Sequence, residues 1–174
     1  MALPSDRLSR RGRQIVEEAR ALLESEGAEG LTMRRLAERL GIRAPSLYKH
    51  FPDKQAVEVE LVAEGLGELA ETLGAAAGGG LAGLGAAFRR YALEHPHLYR
   101  LMTTGPLPRD RLPAGLEDRA AAPLVAAAGD PHLARAAWAF AHGMVLLELD
   151  GRFPPGADLD TAWRTGLAAM AGAR

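Results

Sequence analysis

Residues Thr32–Lys54 read TMRRLAERLGIRAPSLYKHFPDK, two short helical patterns broken at Gly41. The first begins at Thr32, whose hydroxyl suits a helix cap, and turns Met33, Leu36, Ala37 and Leu40 inward before Gly41 stops it. The second takes Pro45 into its first turn, where a missing N–H costs nothing, and ends in Tyr48-Lys49-His50-Phe51. Pro52-Asp53-Lys54 then opens a new helix. A helix pair with a tight turn and a small second helix rich in hydroxyl and basic groups fits the major groove of double-stranded DNA.

Outward from this stretch the chain reads as all-α. Ala, Leu, Arg and Glu dominate between Gly and Pro breaks, and β-branched alternation is missing. Ser9 caps a first helix with Ile15, Val16, Ala19, Leu22 and Leu23 on one face, ending near Gly27. Asp53 starts a fourth helix with an apolar stripe of Val62, Leu66, Leu69 and Leu73, followed at 75–80 by a helix end and a flexible Ala/Gly connection. Further helices are expected at 81–94, 97–103, 116–128, 131–151 and 158–171, with a proline- and arginine-rich loop at 106–113. Three short helices cannot bury a large core, so the fourth should join a domain of residues 1–54 to a helical body of residues 55–174.

The stretch 131–151 is apolar on two sides, with Ala134, Trp138, Ala141, Val145 and Leu149 on one stripe and Ala137, Phe140, Met144 and Leu147 on another. A helix apolar all round must be covered on both sides. One side would face the core and the other a second copy of the chain, with Leu159, Trp163, Gly166 and Met170 of the last helix adding to a homodimer contact.

With 174 residues, 48% hydrophobic, the chain can bury a sizeable core, and no cysteine is present for disulfides or thiolate sites. No apolar run approaches a membrane span of about 20 residues and the N-terminus lacks an apolar signal core, so a soluble cytoplasmic protein without membrane partners is expected. The net charge of −1 divides into +3 over residues 1–54 and −4 over the remainder, a basic front end on an acidic body. The only two lysines, Lys49 and Lys54, fall within the motif. Composition bias explains their scarcity but not their position, and both suit the gripping of phosphates.

Leu36, Ala37, Leu40, Leu47 and Phe51 form the expected small core. Tyr48 would project its phenol toward a phosphate, and Thr32 and Lys54 stand at helix N-termini, which attract phosphate. Arg43, Ala44, Pro45, Ser46 and Lys49 are placed to meet base edges or the flanking backbone. Taken singly, each polar residue is better explained as solvated surface; the set points to DNA. Arg7, Arg10, Arg11 and Arg13 precede the first helix as an arm along the duplex or as a solvated tail.

These residues resemble the N-terminal domain of the tetracycline-repressor (TetR) family of bacterial regulators. That family's pattern is a Thr-started helix, a Leu-Ala pair, a Gly turn, and a short helix with Leu-Tyr-x-His-Phe and a Lys shortly after. Here the matching residues are Thr32, Leu36-Ala37, Gly41, Leu47-Tyr48-Lys49-His50-Phe51 and Lys54, so His50 joins the expected DNA-binding set. The run Arg43-Ala44-Pro45-Ser46 replaces the small residue often found before the Leu-Tyr pair.

The C-terminal half resembles a subgroup of that family marked by Trp and then His-Gly on the penultimate helix, here Trp138-Ala139-Phe140-Ala141-His142-Gly143, followed by Leu147, Gly151 and Phe153. The resemblance implies a body that forms the dimer and encloses a pocket for a small-molecule effector. Phe88, Tyr91, Leu98, Met102, Trp138 and His142 are the candidates for lining it, although plain core packing explains each one alone. Glu94, His95 and His97 straddle a helix break without the spacing of a helical ligand pair, and His132 is isolated, so no metal site is expected. No cofactor is expected, and GxSxG, HExxH and phosphate-loop patterns are missing, so the chain does not read as an enzyme. The expected function is a homodimeric, effector-released repressor on a near-palindromic operator. The alternative is a dimeric regulator without a small-molecule effector, controlled by abundance or a protein partner.

Overall fold

Ser9 fixes where the chain becomes helical: its Oγ accepts from Gly12 N at 3.0 Å, which satisfies one of the orphan donors of a first turn. The structure, a computed structural model, describes residues 8–172. Its helices are α1 (Arg10–Gly30), α2 (Met33–Arg39), α3 (Ala44–Tyr48), α4 (Lys54–Ala76), α5 (Gly80–Glu94), α6 (Pro96–Thr103), α7 (Leu116–Ala128), α8 (Pro131–Leu149) and α9 (Leu159–Ala171). No strand occurs among the described residues.

Two compact units divide the chain, residues 1–67 with 95–116 and residues 68–94 with 117–174, and the first division falls inside α4. In the first unit, α1 buries Ile15, Val16, Ala19, Leu22 and Leu23 in one core with Leu36, Leu47, Phe51, Val57, Leu61 and Leu98. The first helical run of α1 breaks at Gly27 (φ 72°, ψ −177°), as expected, and a short second run beyond the kink carries the element to Gly30. Positive φ suits glycine, and an added Cβ there would meet His97 Nδ1 at 3.3 Å. In α4, Gly65 serves close approach: a Cβ would lie 2.5 Å from Met102 Sδ and 2.9 Å from Leu98 Cδ2.

In the second unit, Asp130 caps α8 by accepting from His132 N and Leu133 N, and Asp158 caps α9 by accepting from Thr161 N. The Thr161 hydroxyl, which donates to Asp158 Oδ2, and then the Thr161 N–H hold the Asp158 carboxyl below its usual range. Glycines again permit contact: side chains at Gly85 and Gly166 would collide with Leu167 and with the Phe140 ring. Phe140 meets Trp163 edge to face, centroids 5.8 Å apart. Arg89 of α5 ties the helices together through two bonds to Glu148 (2.9 and 2.7 Å) and one to Asp160 (2.5 Å). These partners, Glu148 first, raise the guanidinium's pKa further.

Three expectations need correction. Residues Arg10, Arg11 and Arg13 do not precede the first helix but lie in its opening turns, because the Ser9 cap starts the helix there; Arg7 lies outside the described residues. The Ala/Gly run at 75–80 holds the expected helix end, since α4 stops at Ala76, but in place of a flexible connection a single 3-10 turn covers Ala77–Gly79 and α5 starts at Gly80 with φ 60°. The two stripes of α8 divide differently from the expectation: Ala134, Ala141 and Val145 share the buried side with Ala137 rather than with Trp138, and Trp138 and Leu147 are 52% and 43% exposed.

Overpacking and backbone entropy give opposite signs at two glycines. Gly166→Ala drives a methyl into a rigid ring and should lose about 1–3 kcal/mol in urea unfolding at fixed protein concentration. Gly74→Ala, in an exposed part of α4 with nothing within 4 Å of the new Cβ, should gain about 0.4–1 kcal/mol.

Candidate nucleic-acid interface

The turn between α2 and α3 is set by Gly41. With φ 63° it lets Gly41 N donate to Glu38 O (3.1 Å) and Ile42 N donate to Ala37 O (3.0 Å), which closes the last carbonyls of α2. Ile42 then packs against the first unit's core. Thr32 Oγ1 accepts from Arg35 N at 3.2 Å and starts α2, and Asp53 Oδ1 accepts from Ala56 N at 2.7 Å and starts α4. All three local devices are legible in residue type.

Within α3 the side chains separate cleanly. Leu47 is fully buried and Phe51 is 4% exposed, whereas Arg43, Pro45, Ser46, Tyr48, Lys49 and His50 are exposed, Tyr48 by 50%. Ala44 is half-buried and rests on the core, which leaves it little freedom to meet a base edge. Thr32 and Lys54 are half-buried at the starts of α2 and α4. Lys54 is also engaged within the protein: Nζ donates to Ala28 O at 2.9 Å and pairs with Glu58 at 3.2 Å. The arginines of α2 were given no role by the sequence. Arg34 pairs with Glu38 at 3.0 Å, Arg35 with Glu26 and Arg39 with Glu18. Only the first of these shows in sequence, as an i,i+4 spacing.

The pocket candidates fall into different units. Leu98 is fully buried in the first unit's core and Met102 packs against it. Phe88, Tyr91, Trp138 and His142 belong to the second unit. There Phe88 and Tyr91 are buried, and Tyr91 donates to Glu68 Oε2 at 3.0 Å. Trp138 is at the surface, stacked on half-buried His142 with centroids 5.9 Å apart. A cleft of about 180 Å³ lies elsewhere in that unit, lined by Ala82, Ala86, Arg89, Trp163 and Leu167 among others. Among the described residues no group of three or more His, Asp or Glu is arranged to hold a metal ion. No described helix is long and apolar enough to cross a membrane.

A capped helix, a glycine turn and a short second helix with its polar side exposed define a helix-turn-helix DNA-binding protein of the transcription-regulator class. The family described as "Bacterial regulatory proteins, tetR family" matches residues 15–61, and "Tetracyclin repressor-like, C-terminal domain" matches residues 81–170. The uncharacterized HTH-type transcriptional regulator Rv0681 of Mycobacterium tuberculosis (strain ATCC 25618 / H37Rv) is 33% identical over 161 residues, 84% of this chain and 72% of that protein. The Tetracycline repressor protein class C of Escherichia coli is 54% identical over 43 residues, which are 25% of this chain and 20% of that repressor. A single-site variant of TetR from Acinetobacter baumannii AYE, solved in complex with minocycline, superposes with a TM-score of 0.65 at 25% identity over 95% of both chains. The chain belongs to the TetR family.

Burial holds the His142 pKa below its ordinary value. The unfolded chain takes up that proton near pH 6.5, the folded protein only at lower pH. The associated stability is therefore present above about pH 6.5 and is lost as pH falls through the folded value. Urea midpoints between pH 7.5 and pH 5 should decline, and His142→Gln should flatten the decline.

Proposed function

We propose that this regulator is a homodimeric cytoplasmic repressor. Residues 1–54 would hold a near-palindromic DNA operator, and a small-molecule effector bound to residues 55–174 would release it. The observation that carries the DNA half is the separation within and around α3, with Leu47 and Phe51 inside and Arg43, Pro45, Ser46, Tyr48, Lys49 and His50 outside. Thr32 and Lys54 complete the contact set at two helix N-termini. Ala44 contributes by its small size, which lets the start of α3 approach the groove.

Two features support the body's role. Trp138 and Leu147 on α8 offer apolar surface that a second chain would cover. The likeness to a TetR protein that binds minocycline supports a small-molecule effector here too. Two copies would meet successive major grooves about 34–36 Å apart. An effector that prefers the wrong spacing weakens operator binding by the same free energy with which the operator weakens effector binding. The helix α4 is the natural pivot, because it contributes residues to both units.

Selection of bound sites from genomic fragments should return a near-palindrome whose half-sites lie one helical turn apart. On that site Lys49→Ala should weaken binding evenly across sequences and reduce the salt slope by about 1, while Arg43→Ala should relax preference at one position. Tyr48→Ala with Lys54→Ala should abolish binding with folding intact. Unchanged affinity in these variants would remove the assignment of α3 as the reading element.

A further inference from the structure

Two arginines of the second unit offer the same guanidinium edge, one filled and one empty. Arg89 directs Nε to Glu148 Oε2 and Nη2 to Glu148 Oε1, the side-on fork that holds a carboxylate through two parallel bonds. Arg119 on α7 has Nε and Nη2 buried, and neither has a hydrogen-bond partner among the described residues. Those are the two donors of the same fork.

The local sequence supplies no counter-charge. At helical reach of Arg119 stand Gly115, Leu116, Ala122 and Pro123; Glu117 and Asp118 are two residues and one residue away, spacings that do not face each other on a helix. Pro123 adds a second anomaly inside α7. It brings no N–H to the carbonyl four residues back, and that carbonyl belongs to Arg119. Arg119 as a whole is half-buried, but two donors of a charged group shut away from water without an acceptor are unfavourable. Buried donors without a partner are rare in folded proteins, and a bound group that completes them is one reason for keeping them.

We propose that Arg119 anchors an organic carboxylate, and that the effector of this regulator is an apolar monocarboxylic acid bound as its anion. This rests on the reading of residues 55–174 as an effector-binding body. One fork matches two coplanar oxygens, whereas a phosphate dianion calls for more positive charge than this single group. The side chains at helical reach are hydrocarbon, which suits an apolar remainder. Because the fork is closed to water in this form, a ligand that reaches it selects a different conformation. That differential affinity is what shifts an equilibrium.

Thermal unfolding of the full chain with benzoate or octanoate, against benzamide or octanol, tests the anchor. The acids should raise the midpoint with dose and the uncharged analogues should not. Arg119→Met should abolish the response and, having lost two buried donors without acceptors, melt higher without ligand. Arg119→Lys keeps the charge but not the fork and should weaken apparent affinity by about tenfold or more. Equal shifts from charged and uncharged compounds, a response surviving in Arg119→Met, or no response to either acid would overturn the proposal. So would loss of self-association in Arg119→Met by sedimentation, because the fork would then be filled by a carboxylate of a second copy. Operator binding read in parallel separates the two readings. Acids that bind through Arg119 but leave operator affinity unchanged refute effector release and leave the anchor standing. Operator release by an uncharged compound in both wild type and Arg119→Met refutes the anchor alone.

Discussion

The burial of Leu47 and Phe51 is the constraint on which the DNA-facing half depends. The helix they anchor, α3, has five residues, and isolated helices shorter than about 12–15 residues are marginal in water. It cannot hold a direction by its own backbone bonds. Its direction comes from those two apolar side chains, set into a core with Ile15, Leu22, Leu36 and Leu98. Once they are fixed, Tyr48, Lys49 and His50 have only the outside left to occupy. The Gly41 turn does the complementary work at the entrance, because Ile42 can reach the same core only if residue 41 takes positive φ.

The second unit is held by different means. Its sequence is rich in Ala and Gly, and its helices approach where side chains are missing, at Gly85 against Leu167 and Gly166 against Phe140. Such contacts hold little hydrocarbon per residue, so specific pairings matter more. Arg89 supplies one, reaching Glu148 on α8 and Asp160 just inside α9 while lying over the Trp163 ring at 5.8 Å. A partly buried fork with both oxygens engaged fixes geometry in a way that an exposed lysine pair does not.

Local chemistry was legible in the sequence and long-range pairing was not. Ser9, Thr32 and Asp53 all cap helices, and Gly41 ends one, because a cap depends on residues two or three positions away. The inward stripes of α1, α2 and α4 were legible for the same reason, since helical period alone decides which residues share a face. A stripe says that a face is covered, never by what. Leu98 and Met102 were therefore grouped with Phe88 and Trp138 as pocket candidates, whereas they belong with the core of α1 and α2. Trp138 reads as interior by composition and lies at the surface, because the α8 face that packs on Leu81 and Ala128 is the one carrying Ala134 and Ala137. Both guanidinium forks were invisible for a simpler reason. Glu148 is far from Arg89 in the chain, and the emptiness of Arg119 is a property of its surroundings alone.

The two lysines show how much such surroundings change a residue's meaning. In sequence Lys49 and Lys54 look alike, a pair of flexible cations inside one motif. In the fold Lys54 Nζ donates to the carbonyl of Ala28, just beyond the kink at Gly27, and so straps the end of α1 to the start of α4. No ion pair involves Lys49 or Arg43 among the described residues, while Arg34, Arg35 and Arg39 are matched by glutamates. Exchanging an exposed glutamate for a phosphate is nearly neutral locally, since such pairs contribute little in water and counterion release favours the polyanion. Moving Lys54 onto a phosphate is different, because it removes a donor from a backbone carbonyl and loosens the strap between two helices. Lys49 can therefore add to DNA affinity without structural consequence. A phosphate met by Lys54 would be coupled to the setting of α4, whose residues are shared between both units.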